Sequence, residues 1–242
     1  MARSYQFHRI ENFPIPPRRG ASLKTHTQLT LLTDGDDTAH SEIRFTGESD
    51  FPEFLKYFVR HEVVEKRKVR FMQEDRNEVI FVEEFHLYLP PNRKYLFAET
   101  AAHYSNELLK RIYLKDSSFS YTLREVDLLK LRKELQGNIR GGWFRNLQIE
   151  DVSTAGIFGA TVGDSDEWQH YEDSGKLSAL VLEFKHKGTW HSTNISSNGA
   201  ITLYASYSEK DALELVEVIN DIVNRFSTEL PPKPRKGSKK KE

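Results

Sequence analysis

Residues 177–226 read LSALVLEFKHKGTWHSTNISSNGAITLYASYSEKDALELVEVINDIVNRF, and this stretch decides the fold class. Leu177–Phe184, Trp190–Ile195 and Ala200–Ala205 are short runs with the composition of strands. Lys187-Gly188 and Ser197-Asn198-Gly199 separate them as turns, so the spacing predicts a three-strand antiparallel meander. Ser208 then stands as a helix cap. Ala212, Leu215, Val216, Ile219, Ile222, Val223 and Phe226 recur at the helical period, and Pro231 and Pro232 stop anything further. An antiparallel sheet with a helix over one face follows.

Working outward, Thr25–Thr33 and Ser41–Thr46 flank Asp34-Gly35-Asp36-Asp37 and predict a hairpin. Asp50 and Glu53 bracket Phe51-Pro52 as an acidic capping box. Phe51, Phe54, Leu55, Phe58 and Val59 then predict one face of a helix. Lys68–Met72, Glu78–Leu89 and Lys94–Ala98 read as strands, the last two turned by Pro90-Pro91-Asn92. A helix is expected from a Thr100 cap, with Ala101, Tyr104, Leu108 and Ile112 on one face. Thr122 and Glu125 form a T-x-x-E box ahead of Val126, Leu128, Leu129, Leu131 and Leu135, with Gly137 as the stop. The first 20 residues, with Pro14, Pro16 and Pro17, read as irregular. The glycine-spotted stretch 137–163 reads as loop around one short apolar piece, Ile157-Phe158.

Asn92–Ala98 and Asn198–Ala205 each read turn, strand, cap, helix, a weak internal similarity. The expected fold is α+β: two lobes of antiparallel sheet, each covered by amphipathic helices. Residues 1–24 form an irregular extension and 25–115 a first lobe. Residues 116–148 are a connecting helix with a basic-aromatic loop, 149–227 a second lobe and 228–242 a disordered basic tail. The β-β-β-α unit from Leu177 to Phe226 resembles, in outline, a half-repeat of the TATA-binding-protein-like fold.

Composition removes several functions. The 242 residues contain no cysteine, which excludes a disulfide scaffold, a thiolate zinc site and a cysteine nucleophile. The same absence fits a reducing compartment, so a cytoplasmic protein is expected. No apolar run reaches the roughly 18 residues of a membrane span, and MARSYQFHRIENFPIPPRRG has no apolar core of a secretory signal. The net charge of −1 is a sum of unlike parts. Residues 232–242, PKPRKGSKKKE, carry +5 and leave −6 on the rest. Lys236, Lys239 and Lys240 in that tail are candidate phosphate contacts.

The catalytic motifs are mostly absent. AGIFGATVG (155–163) lacks the Gly-Lys-Ser/Thr of a phosphate loop, and there is no Gly-x-Ser-x-Gly elbow. His186 and His191 flank the Lys187-Gly188 turn and are placed to approach each other, with His170 nearby, but no metal-ligand spacing accompanies them. Metal ligands and cofactors are therefore not expected. Leu180-Val-Leu-Glu-Phe-Lys185 resembles the active-site strand of restriction-endonuclease-like nucleases. The resemblance implies that Glu183 and an upstream carboxylate (Asp173, Asp164 or Asp166) hold Mg²⁺ while Lys185 helps position the attacking water.

Charge segregation is the other signal. Residues 124–145 carry Arg124, Lys130, Arg132, Lys133, Arg140 and Arg145, against Glu125, Asp127 and Glu134, and end in the basic-aromatic Arg140-Gly-Gly-Trp143-Phe-Arg145. Arginine and tryptophan together suit a phosphate and a stacked base, or a protein anchor. Residues 146–175 carry seven acidic residues and no Lys or Arg. The leading expectation is a non-enzymatic accessory subunit of a complex that contacts nucleic acid or a nucleic-acid-handling protein. The alternatives are the Mg²⁺-dependent nuclease and a module that only binds protein.

Overall fold

The N-terminal strand organises the molecule. In the computed structural model, which describes residues 2–28, 38–51, 53–71, 74–134, 138–160 and 162–232, β1 (Arg3–Glu11) is followed by the hairpin β2 (Ser22–Gln28) and β3 (Thr38–Glu48). The long ribbon β4 (Leu55–Phe71) and β5 (Glu74–Leu89) comes next, then β6 (Tyr95–Ala98) and α1 (Ala102–Lys115). Then come β7 (Ser120–Tyr121), β8 (Leu123–Val126), α2 (Leu128–Glu134), and the hairpin β9 (Asn138–Ile149) and β10 (Val152–Phe158). A 3-10 turn (Val162–Asp164) leads to α3 (Asp166–Ser174). The meander β11 (Lys176–His186), β12 (Thr189–Ser196) and β13 (Ile201–Leu203), α4 (Glu209–Asn224) and β14 (Ser227–Leu230) close the chain. The protein is mixed α+β, and the described strand pairs are antiparallel.

The principal sheet runs β10-β9-β11-β12-β13-β1-β6-β5-β4-β3-β2. Arg3–Tyr5 of β1 pair with β13, and Gln6–Arg9 pair with β6. Alternation along β1 sends Tyr5 and Phe7, both fully buried, into one hydrophobic cluster, and Ile10 into another on the opposite face. On that opposite face His8 Nε2 meets Ser105 Oγ of α1 at 3.0 Å. The first cluster lies under α2, α3 and α4, and the second under α1. The expected irregular N-terminus is therefore corrected to a central strand. Its polar Gln6 and His8 are buried beside aromatics, so the one-sided alternation that marks a strand in sequence is missing.

The helix expected around Phe51–Val59 is a strand from Leu55 onward. Tyr57, Val59, His61 and Val63 recur every second residue on the face beneath α1 and are buried there. β3 and β5 hold β4 on both edges. The apparent helical period arose because Phe51 and Phe54 belong to the preceding turn, where Phe54 stacks on Phe97 at 5.6 Å. The Thr122–Glu125 box likewise runs into strand β8, and Asp127 precedes α2, its Oδ1 accepting from Lys130 N at 3.1 Å. α1 starts after Ala101 with no side-chain cap, one residue later than expected from Thr100. The hairpin of β2 and β3, the meander and the Ser208 cap of α4 are as read from the sequence. The turn expected at Asp34–Asp37, together with Leu135 and Gly137, lies outside the described residues. β14, which pairs with β8 after Arg225, was not expected at all.

Two histidines are locked in the layer under α1. Burial pushes the imidazole of His8 down to about 3, against a hydrogen bond involving Thr122 that opposes the change. Burial, aided by the cation of Arg111, does the same for His61, also to about 3. Both are neutral when folded and protonate near 6.5 when unfolded, so the unfolded chain binds more protons below that pH. Stability is full above pH 6.5 and falls as the pH drops toward 3. Lowering the pH from neutral to about 5 is expected to cost about 2 kcal/mol per histidine in urea unfolding, and His61→Gln should lower the slope with pH by about half. A pH-independent unfolding midpoint across that window would contradict the buried neutral pair.

Candidate nucleic-acid interface

The stretch 137–163, expected to be loop, is mostly the hairpin of β9 and β10. This is a correction: Arg140-Gly-Gly-Trp-Phe-Arg145 lies within β9, paired with β10 on one side and β11 on the other. Its glycines are there for close packing. A Cβ on Gly142 would lie 2.6 Å from Trp168 Cη2, and one on Gly156 2.8 Å from Trp143 Cζ3. Trp168 is buried on the core side, capped into α3 by Ser165, with its Nε1 donating to Glu172 Oε2 at 2.9 Å.

Strand alternation sorts the side chains of this half of the sheet. Phe144, Leu177, Leu180, Leu182, Ile195, Ile201 and Leu203 face the core with α2, α3 and α4. The opposite face carries Phe158, Trp143 and Arg145 at the β10–β9 edge. Beyond them lie Glu183 and Lys185 of β11, and Trp190, Ser192, Asn194 and Ser196 of β12. Thr202 of β13 and Ser4 of β1 continue the row and meet at 3.3 Å. Trp143, Phe158 and Trp190 are respectively 45%, 53% and 57% exposed, which is unusual for rings of this size on an ordered strand. Trp143 and Phe158 lie against the backbone of the facing glycines: Gly156 is opposite Trp143, and Gly141 opposite Phe158. Their ring centroids are 5.3 Å apart, edge to face. Each ring is thus seated against a glycine and remains about half exposed. Trp190 sits opposite Lys185, about 20 Å along the strands from the Trp143 row.

The expected basic patch is divided by the sheet. Lys130 and Lys133 are on α2, on the core-side layer, where Lys130 pairs with Asp127 at 3.2 Å. Arg132 is enclosed there. It donates to Glu172 at 2.7 Å and to the carbonyl of Gly163, and it stacks over Trp168 at 5.1 Å. Arg140 donates to Glu183 at 2.6 Å. Arg145 and Lys185 are exposed, with no ion pair among the described residues. Lys236, Lys239 and Lys240 lie outside the described residues. Much of the acidic stretch that follows is on the other side: Asp166, Glu167 and Asp173 are exposed on α3. Trp190 and Phe158 were not singled out from sequence. The signal for Phe158 was its glycine partner across the strand pair, legible only once the register is known.

The nuclease constellation is not assembled. Glu183 and Lys185 do share a face, but α3 carries Asp173 on the opposite one, where Asp173 Oδ1 accepts from Gln169 Nε2 at 2.8 Å. Asp164 and Asp166 lie on that same side, and Glu183 is taken by Arg140. The donor set implied for Mg²⁺ therefore does not fit. Among the described residues no group of three or more His, Asp or Glu is placed to hold a metal ion. His186 and His191 do approach, with ring centroids 6.2 Å apart. Each is engaged with the α4 side, His186 with Glu214 at 3.1 Å and His191 with the Tyr207 hydroxyl at 2.9 Å. His170 lies apart from them on α3. No helix of the described residues is long and apolar enough to cross a membrane. No protein-family model matches the chain, and no curated protein sequence matches it.

The packing of Trp168 against the hairpin predicts a sharp contrast. Gly142→Ala should destabilise by about 1–3 kcal/mol, since its methyl group meets the indole and Leu177. Gly159→Ala meets only Val162 at 3.6 Å and should stay within about 0.5 kcal/mol. Equal urea midpoints for the two variants would contradict the close approach at Gly142.

Proposed function

We propose that this protein is a non-enzymatic subunit that binds nucleic acid through the sheet face opposite α2, α3 and α4. The observation that carries the reading is the set of three exposed rings, Trp143, Phe158 and Trp190, on one sheet face beside Arg145 and Lys185. Exposed rings of this kind stack on bases, and adjacent cations meet phosphates. The acidic residues of α3 are displaced to the other side of the sheet, so they do not oppose an approach to this face. The lysines of the tail, read from sequence, add a sequence-independent attraction.

Several finer expectations belong to the same proposal. In the two-lobe reading, residues 25–115 and 149–227 are separate lobes joined by residues 116–148. The outline resemblance to a TATA-binding-protein-like half-repeat suits a sheet that keeps its helices on one face and offers the other. Action within a complex, beside a protein partner and in the cytoplasm, completes the reading.

The test is fluorescence anisotropy with labelled oligonucleotides. Trp143→Ala and Phe158→Ala should each weaken binding about ten-fold, the worth of one stacked base. Lys130→Ala and Lys133→Ala, on the core-side layer, should change it less than about two-fold, since few phosphates would reach them. Equal losses in both sets, or no loss in the ring variants, would overturn the assignment of this face.

A further inference from the structure

We infer that the ligand of this face is single-stranded nucleic acid, bound by stacking of unpaired bases on Trp143, Phe158 and Trp190. The inference rests on the nucleic-acid reading above and goes beyond it by naming the strand state. The rings determine the choice. Trp143 and Phe158 lie against the glycines of the facing strand, edge to face with each other, and are 45% and 53% exposed, so each leaves ring surface open to solvent. Exposed ring surface on a sheet can receive the face of an unpaired base. Inside a duplex the base faces are already covered by their neighbours, and only groove edges and phosphates remain to be read.

The charges agree with this choice. Duplex binding draws on many phosphate contacts, whereas this face holds Arg145 and Lys185 as exposed cations and commits Arg140 to Glu183. Stacking must then supply most of the affinity. The two aromatic stations are about 20 Å apart, a span of about six bases if stacked at 3.4 Å each, and fewer if extended.

The chemistry recognised is an unpaired base on a phosphodiester chain, and deoxyribose and ribose versions both present it. The experiment is a competition assay on the full chain with a labelled oligothymidylate of about ten nucleotides. The unlabelled competitors are oligothymidylate, oligouridylate and a thymidylate–adenylate duplex of the same length. Either single strand should compete at concentrations at least about ten-fold lower than the duplex. The preference should persist at high salt, where phosphate contacts weaken, and should vanish in the Trp143→Ala, Trp190→Ala double variant. A duplex that competes as well as the single strands, with binding still dependent on the two tryptophans, overturns the strand preference and leaves the nucleic-acid reading standing. Binding to none of the three overturns both.

Discussion

Hydrogen bonding of β1 on both edges is the constraint from which the rest of the architecture follows. Three residues of the strand pair with β13 and the next four with β6, so one segment joins the meander to the ribbon. A strand in that position is buried on both faces. Phe7 packs edge to face on Phe97 at 4.4 Å, and Gln6 and His8 on the other face must find partners inside the protein. Gln6 Nε2 donates to the carbonyl of Asn198 at 2.9 Å and His8 meets Ser105, which ties the β12–β13 turn and α1 to the same strand. Arg124 adds a tie on the core side. It donates to Asn220 and Asn224 of α4 and lies over Phe7 at 5.4 Å, while burial lowers its guanidinium to about 10.

This junction sets which faces are covered. Because alternate residues of β1 serve opposite clusters, α1 covers one face of the ribbon half, while α2, α3 and α4 cover the other face of the meander half. The face of the meander on the α1 side is left to its own side chains, and those include the three exposed rings. Sheet geometry also sorts the charge. The basic stretch is divided, with Arg145 beside the exposed rings and Lys130, Arg132 and Lys133 in the helical layer, where the carboxylates of α3 also stand. Near-neutral net charge is therefore compatible with a local surface suited to an anionic partner.

The sequence made some of this legible and hid the rest for identifiable reasons. The meander and α4 were readable because turn residues and a helical apolar stripe agree there with the tertiary structure. β1 was hidden by its buried polar residues. The start of β4 has the period of a helix because Phe51 and Phe54 add a false repeat ahead of it. The β9–β10 hairpin was hidden by its glycines, which in isolation signal loops and here make room for Trp143, Phe158 and Trp168. Trp143 and Arg145 were legible as candidates from composition. That Arg132 is enclosed against Trp168 and Arg140 is committed to Glu183 follows from register and packing, which a single sequence does not display. The Glu183–Lys185 pair followed from strand alternation, and its separation from Asp173 depends on which face α3 packs against.

The most direct measurement is intrinsic tryptophan fluorescence during titration with unlabelled oligothymidylate. The chain has three tryptophans: Trp143 and Trp190 on the open face and Trp168 in the core. In a Trp143→Phe, Trp190→Phe variant, rings remain on the open face and the remaining emission comes from Trp168. The account predicts that the oligonucleotide quenches the wild-type emission and leaves that of the double variant unchanged while anisotropy still reports binding. Equal quenching of the double variant would place the bound strand near Trp168, on the helical side, and contradict the assignment of the open face.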